Sequence, residues 1–255
     1  MRKPVIELQN VTKSFLSWED RPDSIKRILI DLVRGNFSSG KRNKIEVLKN
    51  ISFTIHEGEF VGIMGPNGAG KSTILKLIAG IYSPTSGSVK VYGKVAPLLE
   101  LGAGFAEDLT GLENIYLNAS ILGYSNKATK AHLNSIIEFS ELGSAIYKPV
   151  KKYSSGMLMR LGFSVAAHLD APILLFDEVL AVGDVGFQEK CLNKINELHK
   201  QGRAIILITH SPDAVTQHCD RCIVINNQKV AFDGNASDGA EFYRTLFHLP
   251  VRLKV

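Results

Sequence analysis

GPNGAGKST, Gly65 to Thr73, decides the fold of this chain. It follows the apolar run Glu59 to Met64, which reads as a buried strand, and it leads into Thr73 to Ala79, which reads as a helix. Strand, Gly-rich turn and helix in that order fit G-x-x-x-x-G-K-[ST], the loop that cradles the phosphates of a nucleoside triphosphate. Gly65, Gly68 and Gly70 let the backbone curl round an anion with its N–H groups inward, and the helix dipole adds to the attraction. Pro66, Asn67, Ala69 and Thr73 complete the cradle. Lys71 reaches the β- and γ-phosphates, and Ser72 offers its hydroxyl to Mg²⁺.

A metal and a base are wanted next, and PILLFDEV, Pro172 to Val179, supplies both. It is an apolar strand ending in two carboxylates. Asp177, at the C-terminal end of the strand, holds Mg²⁺ through water, and Glu178 is placed to activate an attacking water as general base. RAIILITHS, Arg203 to Ser211, is a second buried strand, and it ends in His210. A histidine at that edge of the sheet falls where the γ-phosphate belongs and acts as a sensor or positioning group.

Outward from these segments the chain reads as one domain over residues 1–255. Val5–Asn10 and Val47–Ile55 are N-terminal strands. From about 95 to 165 the pattern is mostly helical and forms a second lobe. Thereafter strand and helix alternate: Ile173–Phe176, a helix around Phe187–Lys200, Ala204–Thr209, a helix after Pro212, and Cys222–Asn226. That alternation predicts an α/β fold with a mostly parallel sheet flanked by helices. Residues 17–44 form an insert with seven Lys/Arg and four Asp/Glu. Within it Ile25, Ile28, Leu29 and Leu32 follow helical spacing, with Asp23 or Ser24 as cap and Gly35 as stop. This basic amphipathic helix suits packing on its own domain or lying against a membrane surface or membrane protein.

Composition removes several classes. With 255 residues, 45% hydrophobic and 22% charged, the chain can bury a large core and is not a disordered segment. A net charge of +5 and a pI near 9.0 are spread along the chain instead of gathered into a stripe with stacking aromatics, so no nucleic-acid partner is expected. No apolar run reaches the roughly 18 residues of a bilayer span, and Glu7 and Gln9 interrupt any secretory leader. A cytosolic chain is expected, with any membrane role supplied by a partner. Cys191, Cys219 and Cys222 are too few for a disulfide framework, and the lone C-x-x-C lacks a second pair for zinc or a redox βαβ context.

KKYSSGMLMRLGFS, Lys151 to Ser164, begins like an ordinary capped helix, with Met157, Leu158, Leu161 and Val165 at helical spacing. Set beside the cradle and the Asp-Glu strand, YSSGM resembles the LSGGQ signature of the ATP-binding cassette (ABC) transporters, whose nucleotide-binding domain resembles nearly the whole chain. The resemblance implies a P-loop ATPase core with an inserted helical subdomain. It also implies two ATP held in a head-to-tail dimer, in which Ser154, Ser155, Gly156 and Met157 of one subunit close over the γ-phosphate bound by the other. It implies that Phe15, with Trp18 as the second candidate, stacks on adenine. Asp184 of AVGD takes the place of the aspartate that communicates between sites. Glu100, in VAPLLELGAGF, stands where the family usually has a metal-contacting glutamine.

LELGAGF, LTGLENIYLNA, YSSGM and DEVLAVGD together resemble the ATPase subunits of polysaccharide exporters of the O-antigen, capsule and teichoic-acid type. That resemblance implies a homodimer at the cytoplasmic face of a bacterial inner membrane, bound to integral membrane permease subunits that handle a lipid-linked glycan. Some such ATPases append a carbohydrate-binding domain; with the chain ending at Val255, about where the ATPase domain closes, none is expected here, and the resemblance favours the membrane-side reading of the insert helix. An ABC ATPase that exports a different substrate is one alternative, and two other classes compete. Soluble ABC ATPases of ribosomes or DNA generally fuse two cassettes or carry long coiled coils or zinc modules, which are missing here. A small-molecule P-loop kinase would need neither YSSGM nor the Asp-Glu pair.

Overall fold

The computed structural model describes residues 2–18, 42–98, 104–177 and 184–248. The amphipathic helix expected over 23–35 lies outside the described residues, as do Glu100 and Glu178.

Two long strands, β1 (Pro4–Trp18) and β2 (Arg42–His56), pair antiparallel, and β4 (Ser86–Val91) adds to β1 to make a three-stranded sheet ordered β2-β1-β4. Both long strands run well past the expected bounds, because each completes the other's backbone hydrogen bonds out to the Trp18–Arg42 pair. A second sheet holds β3 (Phe60–Met64), β5 (Val95–Leu98), β6 (Ile173–Asp177), β7 (Ala204–Ile208), β8 (Arg221–Asn226) and β9 (Lys229–Asn235), in the order β5-β6-β7-β3-β8-β9. Its first five strands are parallel, and β9 returns antiparallel to β8. Residues 60–64 and 204–208 are buried at every position, which is why they read as unbroken apolar runs with no alternation.

Val95–Leu98 corrects the expected start of the helical lobe: it is a strand in register with Ile173–Phe176. Four residues were too short a run to separate from the helical pattern beyond it. The β8–β9 hairpin and the last helix, α7 (Ala236–Leu246), also escaped the sequence reading. The turn there, Asn227-Gln228, takes positive φ at both residues (48° and 66°) without the Gly that normally marks it.

The other α-helices among the described residues are α1 (Lys71–Ile78), α2 (Gly111–Ile121), α3 (Asn126–Ser140), α4 (Ser155–His168), α5 (Val185–Lys200) and α6 (Pro212–His218). The helical lobe is α2, α3 and α4, closed over Ile115, Ala119, Ile136, Leu161 and Val165. α2 starts with a capping box: Thr110 accepts from the Glu113 amide and Glu113 accepts from the Thr110 amide. Buried Asn114 donates to the carbonyls of Ala106, Leu109 and Thr110 and accepts from the Ala106 amide, which ties down the segment entering the lobe. α4 has a second apolar side. Phe163, Ala166 and Ala167 pack with Leu174 and Phe176 of β6 and Phe187 of α5, so this helix joins the lobe to the sheet. Each fully buried Phe there contributes about 1.5–3 kcal/mol.

Cys219 caps α6 and Cys222 is buried in β8, the helix-end and strand positions read from the sequence. Burial pushes the Cys222 thiol up to about 12.

Candidate functional site

The cradle begins where β3 ends. Gly65 must be glycine on packing grounds, since a Cβ there would stand 2.4 Å from the carbonyl oxygen of Ile225. Gly70 caps α1 in the left-handed region at φ 98°, with no side-chain hydrogen bond to the helix end. The first amides of α1 therefore keep their outward direction and the positive end of the dipole behind them. A carboxylate or hydroxyl cap would have competed with a phosphate for those donors. This donor set fits an anion.

Lys71 is only 7% exposed. Its ammonium donates to Gly65 O at 2.8 Å and Pro66 O at 3.0 Å, so the loop's own carbonyls aim it across the mouth of the turn. Its Nζ lies 3.4 Å from Nε2 of His210, a hydrogen bond when that nitrogen is unprotonated. Ser72 Oγ donates to Oδ2 of Asp177 at 3.2 Å. A hydroxyl and a carboxylate oxygen at that spacing form the hard-oxygen donor pair that Mg²⁺ takes. Asn67, Gly68, Gly70, Lys71, Ser72, Thr73, Asp177 and His210 line one cleft of about 440 Å³, with Val47 and Ile208 as its apolar walls.

Strand order makes this meeting possible. β6, β7 and β3 are neighbours with parallel direction, so the residues at or just beyond their C-terminal ends share one edge. Asp177 closes β6, His210 follows β7, and the cradle follows β3. Val47 and Ile208 were not picked out in the sequence and carry no signal there beyond being apolar. Val47 sits opposite the Lys13–Ser14 step, where the β1–β2 register shifts, and its carbonyl oxygen would lie 2.9 Å from a Cβ at Gly70. The β-ribbon thus presses on the cradle from one side.

Phe15 pairs opposite Ile45, two residues from Val47, and is 36% exposed. It is not among the residues lining the cleft. Its ring meets Tyr82 edge-on at 5.4 Å, and the Lys13 ammonium lies 5.0 Å from its centroid. A part-exposed aromatic paired with the strand that carries Val47, a wall of the cleft, suits a base.

The YSSGM segment stands apart from this cleft: Ser154 to Met157 do not line it. Ser154 caps α4, accepting from the Met157 amide at 3.3 Å. Tyr153 is anchored behind it, its hydroxyl donating to Ala145 O at 2.7 Å. Ser154 and Ser155 are exposed, and a Cβ at Gly156 would meet nothing nearer than Ser154 Oγ at 3.9 Å. This helix start is open to an incoming group.

Asp184 caps α5, accepting from the Phe187 amide at 3.0 Å, and it also accepts from Arg160 of α4. The Phe187 amide and the Arg160 guanidinium hold its carboxyl below the usual carboxylate range. Arg160 was not singled out in the sequence, where a lone arginine on a helix carries no signal.

The sequence model of the ABC transporter family matches residues 48–181. An O-antigen export system ATP-binding protein (RfbB) of Klebsiella pneumoniae is 46% identical over 242 residues, covering 95% of this chain and 98% of that protein. A teichoic acids export ATP-binding protein (TagH) of Listeria innocua is 38% identical and covers 93% of this chain and 69% of its own length. Among solved structures, a dimeric ATP-binding cassette in a post-hydrolysis state with ADP and Pi superposes with a TM-score of 0.71 at 23% identity, covering 91% of this chain and 98% of that one.

Proposed function

The chain belongs to the ABC transporter family and is an ATPase of that family, and from that premise we propose that it powers export of a lipid-linked polysaccharide of the O-antigen or teichoic-acid type. The observation that carries the reading is the similarity to an O-antigen export ATPase along almost the whole length of both chains. The capsule systems belong to the same chemical class of cargo.

In this reading two copies act as a homodimer on integral membrane permease subunits at the cytoplasmic face of the inner membrane. The described residues contain no helix long and apolar enough to cross a bilayer, so passage of the glycan falls to the permease. The cradle from Gly65 to Thr73 holds the ATP phosphates, Lys71 neutralises charge at the β- and γ-positions, and Phe15 stacks on the base. Ser72 and Asp177 are the residues that would hold Mg²⁺, with Glu100 taking the usual glutamine's place; the ion supplies charge neutralisation on the phosphate oxygens. Glu178 takes the proton of the attacking water, and His210 orients the γ-phosphate next to Lys71. The exposed α4 start, Ser154 to Met157, meets the γ-phosphate on the second copy with the Ser154 hydroxyl and the amides other than that of Met157, which Ser154 caps. Support comes from its separation from the cleft of its own chain. Asp184 passes the state of one site to the other.

The test is affinity capture of the tagged chain from detergent-solubilised membranes of its native host. A stoichiometric polytopic partner carrying lipid-linked glycan supports the exporter. A chain recovered with ribosomes or DNA, and with no such partner, refutes it while leaving the ATPase chemistry standing.

A further inference from the structure

Three elements meet at one side chain. Arg160 lies in α4, seven residues beyond Tyr153, and only 20% of its side chain is exposed. One guanidinium nitrogen donates to the Glu141 carboxylate at 3.0 Å, and Glu141 is the left-handed residue (φ 56°) that ends α3. The other donates to Asp184, the cap of α5. The guanidinium carbon lies over the Phe187 ring, 4.7 Å from its centroid, and the Phe187 amide donates to Asp184. Lys190 of α5 closes the circuit, donating to the second oxygen of Glu141 at 2.7 Å while its ammonium sits over Phe139.

Only arginine can make this arrangement. Its planar fork bonds two carboxylates in different directions while its carbon lies over an aromatic ring; a lysine ammonium is a point charge that could do one of these at a time. The geometry also has a direction. α4 begins at the exposed signature end, α3 belongs to the helical lobe, and α5 starts at its cap Asp184 and packs beside the sheet through Phe187. A shift of the α4 start relative to the sheet must break a charged contact at Arg160 or carry Asp184 with it.

We propose that Arg160 is a positioning residue for ATP hydrolysis, one that locks the signature end of α4 to Asp184 at the start of α5 so the two move as one body. It touches neither nucleotide nor metal and acts through Asp184. The proposal rests on the reading that Ser154 to Met157 serve a second copy's phosphate.

The test uses the full-length chain with four changes: Arg160→Gln, Arg160→Lys, Asp184→Asn and the double Arg160→Gln/Asp184→Asn, with Lys190→Ala as control. The control removes bonds to Glu141 and to the Phe139 carbonyl and a cation–π contact without touching Asp184. Arg160→Gln is expected to lower kcat by about tenfold or more with little change in KM for ATP, since misplacement of a catalytic group by a fraction of an ångström is costly. Arg160→Lys keeps the charge and loses the fork, so it should recover only part of the rate. The double change should be no slower than the worse single one, because both remove the same link. Lys190→Ala should lower Tm and leave kcat in place. Undiminished kcat in Arg160→Gln, additive losses in the double change, or an equal kcat loss in Lys190→Ala would each overturn the positioning role. Lys71→Ala separates the two readings. If it hydrolyses ATP normally, the functional site itself is misassigned; if it is dead while Arg160→Gln is unaffected, only this inference fails.

Discussion

Ser72 Oγ donates a 3.2 Å hydrogen bond to Oδ2 of Asp177, across 105 residues of sequence. The bond joins the first turn of α1 to the end of β6, with β7 between the two strands those segments follow. Neither residue needs the other for its local conformation, so the contact records a shared purpose at the cleft.

Asp177→Asn keeps the shape and the hydrogen bond to Ser72 but removes the charge that a divalent cation needs. ATPase rate is expected to fall by about 100-fold at a Mg²⁺ level that saturates the unaltered protein. Rates measured across a Mg²⁺ titration check this, and an unchanged half-saturation point would remove Asp177 from the metal site.

Lys71 is held by two carbonyls at 2.8 and 3.0 Å and is almost fully buried. Lys71→Ala forfeits charge-assisted bonds of about 1.5–3 kcal/mol each, so affinity for ATP should drop by roughly 10- to 100-fold. Lys71→Arg should not restore it, because the planar fork does not fit between the same carbonyls. Calorimetric titration with ATP decides the matter.

Gly70 and Gly156 should fail differently. A Cβ at Gly70 would stand 2.5 Å from Leu48 Cδ2 and 2.9 Å from Val47 O, at φ 98°. Gly70→Ala is expected to cost about 1–3 kcal/mol of stability and to lose nucleotide binding with it. Relieving the side-chain clash with Leu48→Ala should not rescue it, because a backbone oxygen and the dihedral remain. Gly156→Ala has open space, so it should melt like the unaltered protein and bind ATP, yet hydrolyse it slowly, because the added methyl occupies the helix start offered to the other copy. Melting curves and ATPase rates on both variants test the pair.

His168 packs edge-on to Phe139 at 5.0 Å, and its Nδ1 lies 2.9 Å from Ser164 O. Burial holds its imidazole below the ordinary value of 6.5. The unfolded chain therefore takes up a proton that the folded chain refuses between the folded value and 6.5. Stability is full above that window, falls as pH drops through it, and levels off below. His168→Gln should flatten the dependence of Tm on pH between about pH 7.5 and 5, with His218, also lowered by burial, supplying a residual slope of the same sign. An unchanged slope would show that His168 is solvated.

What was legible in the sequence was local in cause. The cradle follows from glycines at positions where only a bare backbone can turn, and the strands β3, β6 and β7 follow from unbroken apolar runs that only a sheet covered on both faces buries. Those features, with YSSGM, determined the fold class, the family and most of the residues that line the cleft. Tertiary structure decided the rest. That Asp177 meets Ser72, that His210 stands beside Lys71, and that Val95–Leu98 joins the sheet depend on the order β5-β6-β7-β3, which hydrogen bonding between distant segments selects. Arg160 was invisible in the sequence for the same reason. Its role comes from where α3 ends and α5 begins in space, and a helical arginine has no local pattern that records its distant partners.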